Sequence, residues 1–329
     1  MVRQQRQTEL KRSQQSVQYY SDIQGQEDPI LRSRLSYFSR LYPSMLIEDV
    51  ALRIMPRGGA DNSAFQVELV TNNEKAKELI ESALPNEHYG DFTTAICGFF
   101  HDCAQSLIGF GETIYEIVTF SDALDDVVRG FELVFIQPGT LSSRWGKILQ
   151  YVPEDVAREC NVSRHVSLNP ERILWFNLPK STSSIFGWRM DSLAILSEKI
   201  VPDFAMDAIS NPYTDALYDI SEHNVWRKRA IADAGKLIGW NARGLIQEDT
   251  LEYYILHRQL LFEQFQIELR NSILATLNDG LKRAGRLVGF DAQICIKGLP
   301  TLGDVATARA ELLAGSKPFK EILQPFQKI

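Results

Sequence analysis

LIGFGETIYEIV, residues 107–118, holds the pattern on which the fold class turns. Upstream of it, Asp91 is placed to cap a helix in which Phe92, Ile96, Phe99, Phe100, Cys103 and Leu107 recur at helical spacing and form one broad apolar face. Gly109 and Gly111 stop that helix. The chain then alternates through Thr113, Ile114, Tyr115, Glu116, Ile117 and Val118 as a half-buried strand. A helix that feeds a strand through a glycine corner reverses the order of a dinucleotide loop, in which a strand delivers phosphate to a helix N-terminus. Residue 114 is also Ile where the third glycine of such a loop would stand.

Toward the C-terminus, an acidic turn at Asp122–Asp126 leads to strands at Phe131–Ile136, near Trp145–Val152 and at Arg172–Phe176, punctuated by Pro138-Gly139 and Asn169-Pro170. Toward the N-terminus, Ala64–Val70 reads as a strand. Ile47–Met55 reads as another, closed by the Pro56-Arg57-Gly58-Gly59 turn, and a short helix is expected over Pro29–Pro43. Asn72 or Asn73 caps a helix through Leu84 that ends before Pro85. Short strands that follow helices without alternating regularly with them predict an α+β domain, and argue against a doubly wound sheet. Residues 1–30 are rich in Gln, Arg and Ser and lack an apolar period, so a flexible arm is expected over residues 1–40.

Beyond Gly187 the chain turns mostly helical. Met190–Ile209 is a first long candidate, and residues 213–248 read as shorter helical pieces that include Trp226 and Trp240. From Thr250 to Arg283 an apolar stripe (Leu251, Ile255, Phe262, Phe265, Leu269, Ile273, Leu277, Leu281) predicts a helix of about 50 Å, longer than an ordinary domain needs. Strand alternation follows at Phe290, Ala292, Ile294 and Ile296. Thr301 with Asp304 then opens a helix closed at Gly315, and a short helix over Phe319–Leu323 finishes the chain.

With 329 residues, 44% hydrophobic and 23% charged, the chain can bury a real core. Its net charge of −7 argues against a protein that coats nucleic acid, and is compatible with one that merely surrounds it. Four cysteines with no signal peptide before them point to a reducing compartment, and no stretch is apolar enough to span a bilayer. Walker A, H-E-x-x-H and G-x-S-x-G sequences are absent. Cys97 and His101 share a helix face while Cys103 points elsewhere, so three ligands do not converge, and Asp122, Asp125 and Asp126 lack the glycine and distal Glu of a calcium loop. No catalytic, cofactor or metal residues are assigned. Two basic clusters are candidate DNA-channel or inter-subunit contacts: Arg227, Lys228 and Arg229 beside Trp226, and Lys282, Arg283 and Arg286, which also suit a helix C-terminus.

LIGFGETIYEIV resembles the helix-to-strand signature of tailed-phage portal proteins, the head–tail connector ring subunits. There a glycine-containing corner precedes an aromatic, a Glu and two apolar residues, matched here by Gly109, Gly111, Tyr115, Glu116, Ile117 and Val118. FELVFIQPGTL (131–141) and RILWFNLP (172–179) resemble later strands of the family. FEQFQIELRNSILATLNDGL (262–281) and GFDAQICIKGLPTLGDVATARAELLAG (289–315) resemble its long helix and closing strand–helix segment. The resemblance implies a portal-like α+β fold with a wing-like domain at 41–186, a helical stem with a reduced clip-like region at 187–248, and the long helix with its strand–helix segment at 249–329. It also implies a ring of about a dozen copies at a capsid vertex that passes double-stranded DNA during packaging and ejection. The implied partners are the major capsid protein, terminase and neck or adaptor proteins, and the implied location is the virion, after assembly in the host cytoplasm. The resemblance implies no enzyme activity. Portal subunits are usually longer and carry an α/β clip between two stem helices, whereas residues 205–248 alone occupy that interval and read as helical. That departure leaves a head–tail adaptor, or a phage-derived scaffold or defence protein, as the alternative. An enzyme of unrecognised family, nuclease-like or transferase, is a third class.

Overall fold

The corner at Gly111 organises the structure, a computed structural model that describes residues 10–18, 34, 36–55, 65–70, 73–85, 91–122, 127–198, 225, 228–229, 231–233, 235–244 and 251–327. Before the corner, a helix runs over Phe92–Phe110, opened by the Asp91 carboxylate, which accepts the Thr94 N–H at 2.8 Å. Gly111, with φ +84°, ends it in the left-handed region that glycine occupies without steric cost. Gly109 is still helical, so the stop belongs to Gly111 alone. Asp91→Ala removes one N-terminal hydrogen bond and is expected to cost about 1 kcal/mol, read as a lowered midpoint in urea unfolding.

The strand that leaves the corner, β3 (Glu112–Asp122), is the centre of a four-stranded antiparallel sheet. β4 (Val128–Ile136) lies along one edge. Two strands share the other edge end to end: β8 (Ile173–Asn177) pairs with Glu112–Glu116, and β1 (Leu10–Arg12) pairs with Phe120–Asp122. A second sheet, β5 (Leu141–Arg144), β6 (Lys147–Tyr151) and β7 (His165–Leu168), contributes Ile148 and Leu168 to an apolar layer with Ile114, Ile136 and Ile173 of the first. β2 (Gln66–Leu69) pairs with β9 (Ile294–Lys297), joining distant parts of the chain.

The helices with described bounds are α1 (Leu41–Ile54), α2 (Glu74–Ala83), α3 (Phe92–Phe110), α4 (Glu154–Glu159), α5 (Lys180–Glu198), α6 (Glu252–Val288), α7 (Leu302–Ala314) and α8 (Phe319–Gln327), and residues 34, 36, 225, 228–229, 231–233 and 235 are helical as well. α6 spans 37 residues, about 55 Å. Two apolar stripes run along it. Phe262, Phe265, Leu269, Ile273, Leu277 and Leu281 enter the main core with α1, α3, β3 and β8. Leu256, Leu260 and Ile267 pack on Val305, Leu312, Ile322 and Phe326 of α7 and α8. Gly280 lets α6 lie on β8: a Cβ there would stand 2.3 Å from a methyl of buried Leu174.

Several expectations hold in detail, including the Asn73 cap of α2, the Thr301–Asp304 capping box of α7 and its left-handed Gly315 stop. Others do not. Ile47–Met55 is helical, not a strand. Buried residues come in pairs, Leu46–Ile47 and Val50–Ala51, divided by the polar pair Glu48–Asp49, which is a helical period, whereas a strand buries alternate residues. The helix expected over Pro29–Pro43 holds in part: Arg34 and Ser36 are helical, a 3-10 turn at Tyr37–Ser39 follows, and α1 then begins with Pro43 in its first turn, where a missing N–H costs little; residues 29–33 and 35 lie outside the described residues. α5 runs unbroken through Gly187, so the expected boundary at 186/187 falls inside a helix. Trp145 sits in a turn between β5 and β6 and is not part of a strand. Residues 10–18 of the expected flexible arm are held against the sheet. The turns at 56–59 and 123–126 and the whole interval 199–224 lie outside the described residues.

Candidate functional site

Alternation along β3 gives the aromatic and the acid of the 107–118 stretch opposite duties. Tyr115 points toward the helices, where its ring lies 5.2 Å from Phe99, 5.6 Å from Phe135 and 6.0 Å from Phe176, and where burial pushes the phenol and its neighbour Cys103 well above their usual pKa. Glu116 points the other way and is fully buried. Its two carboxylate oxygens accept the backbone N–H groups of Gln15 and Ser16, each at 2.8 Å. A buried carboxylate without donors is costly, and these two N–H groups supply them.

The strap from Leu10 to Gln18 is held along its length in the same manner. Ser13 exchanges backbone and side-chain hydrogen bonds with Thr119, and Arg172 donates to Ser13. Gln150, 1% exposed, accepts the Val17 N–H at 2.8 Å and donates to the Val17 carbonyl at 2.9 Å, so its amide stands in for a neighbouring strand. The Asn169 N–H reaches the Gln15 side chain at 2.8 Å. Most of these contacts go to the strap's backbone.

A second fastening joins residues 235–244 to the helices. Trp240, 1% exposed, donates its indole N–H to Asp49 at 2.8 Å, Arg243 bridges Glu48 and Asp49 at 2.9 and 2.7 Å, and Arg258 of α6 donates to the Trp240 carbonyl. Asp49, on α1, is therefore shared by two donors.

The basic candidates divide. Arg227 lies outside the described residues, while Lys228 and Arg229 are exposed. Lys282 and Arg286 are exposed one turn apart near the end of α6, on one face. Arg283 is not on that face. Its guanidinium donates to the carbonyls of Pro170, Glu171 and Ile173 at 3.3, 3.2 and 2.9 Å and pairs with Asp279 at 3.0 Å, which fastens α6 to the start of β8. The helix period at 279–286 signals the Asp279 pair, but nothing in the sequence announces three carbonyls more than a hundred residues away. Sequence reasoning also did not find Gln150, Arg243 and the donors to Glu116, for the same reason.

Burial pushes the half-buried Cys97 thiol up to about 11, which makes it a poor nucleophile at neutral pH. Among the described residues no group of three His, Cys, Asp or Glu side chains could hold a metal ion, and no helix is long and apolar enough to cross a membrane. A cavity of about 270 Å³ lies at the C-terminal end of α3, and its polar groups are engaged: Arg34 donates to the Phe110 carbonyl, and Glu112 accepts from the Gly139 N–H and the Trp175 indole.

One ionisable group on α6 is set apart by its pKa. Burial pushes the Glu263 carboxyl up to about 7, against the pull of Arg53 and Arg270, and brings Arg270 down to about 10. Because the folded value of Glu263 exceeds the unfolded one, its contribution to stability is complete below the ordinary carboxylate range and is lost as pH rises through about 7. Urea unfolding at pH 5 and pH 8 is expected to differ by on the order of 2–3 kcal/mol from this group, and Glu263→Gln should flatten that difference.

No protein-family model matches the sequence, and no curated protein matches it. Solved structures do. A chain in the virion of a native gene transfer agent (GTA) particle aligns with 88% of this chain and 89% of its own length at a TM-score of 0.51 and 12% identity. A chain in the neck of an empty GTA particle aligns over 86% of this chain and 89% of its own length at 11% identity and a TM-score of 0.48. Over that 88% the chain shares its fold with that virion chain.

Proposed function

We propose that the chain is a structural subunit of a phage-like particle, and specifically a portal-type subunit whose copies form a ring around an open axis at a capsid vertex. The observation that carries this reading is the fold shared with a GTA virion chain over nearly the whole length of both. Two features of the molecule support it. α6, about 55 Å long, has one stripe in the main core and another under α7 and α8, which makes it a stiff strut through the subunit. The polar contacts of the described residues at Glu116, Gln150, Asp49 and Arg283 fasten elements to one another instead of converging on a reacting centre.

In this reading the work is passive. The ring holds a pore of fixed width, double-stranded DNA slides through it, and the outer surfaces dock the capsid protein, a terminase motor and neck proteins. An acidic chain suits a conduit that must not hold the duplex tightly. Catalysis has no part in the proposal. Negative-stain images of the purified protein test it: ring-shaped particles with a central hole are expected, and single small particles at all concentrations would contradict it.

A further inference from the structure

The hairpin between β5 and β6 breaks a local rule. Its two loop residues, Trp145 and Gly146, both have left-handed φ values, +56° and +73°, as a two-residue hairpin of the primed type requires. Such a loop favours Asn-Gly or Asp-Gly, and a bulky residue at its first position is strained. Yet the chain places tryptophan there, and the side chain is 89% exposed. The strands below do not yield: Arg144 pairs with Lys147 directly under the loop, β6 pairs in turn with β7, and Ile148 and Leu168 pack on the central sheet. The result is a rigid finger with an indole at its tip and two exposed cations at its base. Backbone strain kept at an exposed aromatic residue that packs on nothing among the described residues points to a contact with something else.

We propose that this finger is a docking knob for a second copy of the chain, its Trp145 indole buried by the neighbour and Arg144 and Lys147 set against acidic groups of that neighbour. This rests on the ring reading above and names one of the contacts that would build the ring. Charge complementarity favours the second copy as occupant, because each copy carries 42 Asp and Glu against 35 Lys and Arg and so offers a basic tip acidic groups to face. A double-stranded nucleic acid is a poorer host: two cations make few phosphate contacts, and a duplex receives an apolar side chain only where it is kinked open. Tryptophan and arginine are also the residues in which interface energy concentrates. A knob on one copy meeting a different surface on the next is a head-to-tail contact, the kind that closes into rings.

Trp145→Asn separates this role from a structural one, since asparagine suits the turn better than tryptophan does. Sedimentation velocity over a range of protein concentrations, with and without added salt, is run on the wild type, Trp145→Asn and the double variant Arg144→Glu/Lys147→Glu, with thermal unfolding as control. Trp145→Asn is expected to unfold at the same temperature as the wild type or higher, and to need at least about tenfold more protein to assemble. The double variant should assemble less well than the wild type, by a margin that narrows as added salt screens the contact. Assembly of Trp145→Asn at the wild-type concentration overturns the proposal while leaving the ring reading intact. A wild type that stays monomeric overturns both. Loss of duplex-DNA binding by Trp145→Asn with unchanged self-association overturns it in favour of a nucleic-acid contact.

Discussion

Trp240→Ala is expected to lower the unfolding free energy by about 3–5 kcal/mol, more than any other single substitution among the fastening residues. Three losses combine. The indole is among the largest fully buried side chains, and its removal leaves a void among Ile238, Ala242 and the α1 and α6 residues of the main core. The indole N–H no longer satisfies Asp49, whose remaining partner is the half-exposed Arg243. The Trp240 carbonyl, which receives the buried Arg258 guanidinium, loses the side chain that holds it in place. Urea unfolding followed by tryptophan fluorescence and by far-UV circular dichroism measures the change. Trp240→Phe keeps most of the packing and loses only the hydrogen bond, so it should recover more than half of the deficit. Equal losses for Ala and Phe would place the effect in the Asp49 bond, and no loss would show that residues 235–244 do not brace α1 against α6.

Glu116→Ala is expected to release the strap. Two N–H donors that now reach a buried carboxylate are left without a partner, and each such orphan costs about 1–3 kcal/mol while it stays buried, so the chain avoids the penalty by letting residues 10–18 leave the sheet. The rest of the fold retains its core, because β3 remains paired with β4 and β8. Limited trypsin digestion reads this directly: Lys11 and Arg12 should be cut at least about tenfold faster in Glu116→Ala than in the wild type, with Gln150→Ala giving a smaller increase because it frees only Val17. Glu116→Gln should fall between wild type and Ala, since an amide offers one acceptor oxygen in place of two. Equal cleavage rates in all variants would mean that the strap is not held by Glu116.

The central helix–corner–strand unit is legible in the sequence because every decision in it is local. Asp91 opens α3, Gly111 closes it, and the apolar periods change from helical to alternating at one residue. The same holds for α7, whose capping box and glycine stop lie within its own segment. α1 resembles a strand only when its period is counted from Ile47, which leaves out Tyr42 and Leu46, the residues that establish the helical repeat. The helix expected beyond Gly187 already starts at Lys180, because a glycine inside a helix weakens it without ending it.

The fastening residues are illegible for a different reason. Glu116 meets its donors 100 and 101 residues away, Gln150 meets Val17 at 133, and Arg283 meets its carbonyls at 110 to 113, separations at which spacing carries no signal. The motif marks Glu116 without indicating that its carboxylate holds the N-terminal strap. Of the basic candidates, Lys282 and Arg286 keep an exposed face in common, whereas Arg283 belongs to the packing of α6 on β8.

Closure of this fold into a ring of identical copies is tested most directly by native mass spectrometry of the purified protein at several concentrations. One dominant species at a fixed whole multiple of the 37.4 kDa chain, about a dozen copies, is the predicted result. A single 37.4 kDa species that persists at the highest concentration, and is recovered unchanged from assembled particles, would contradict it.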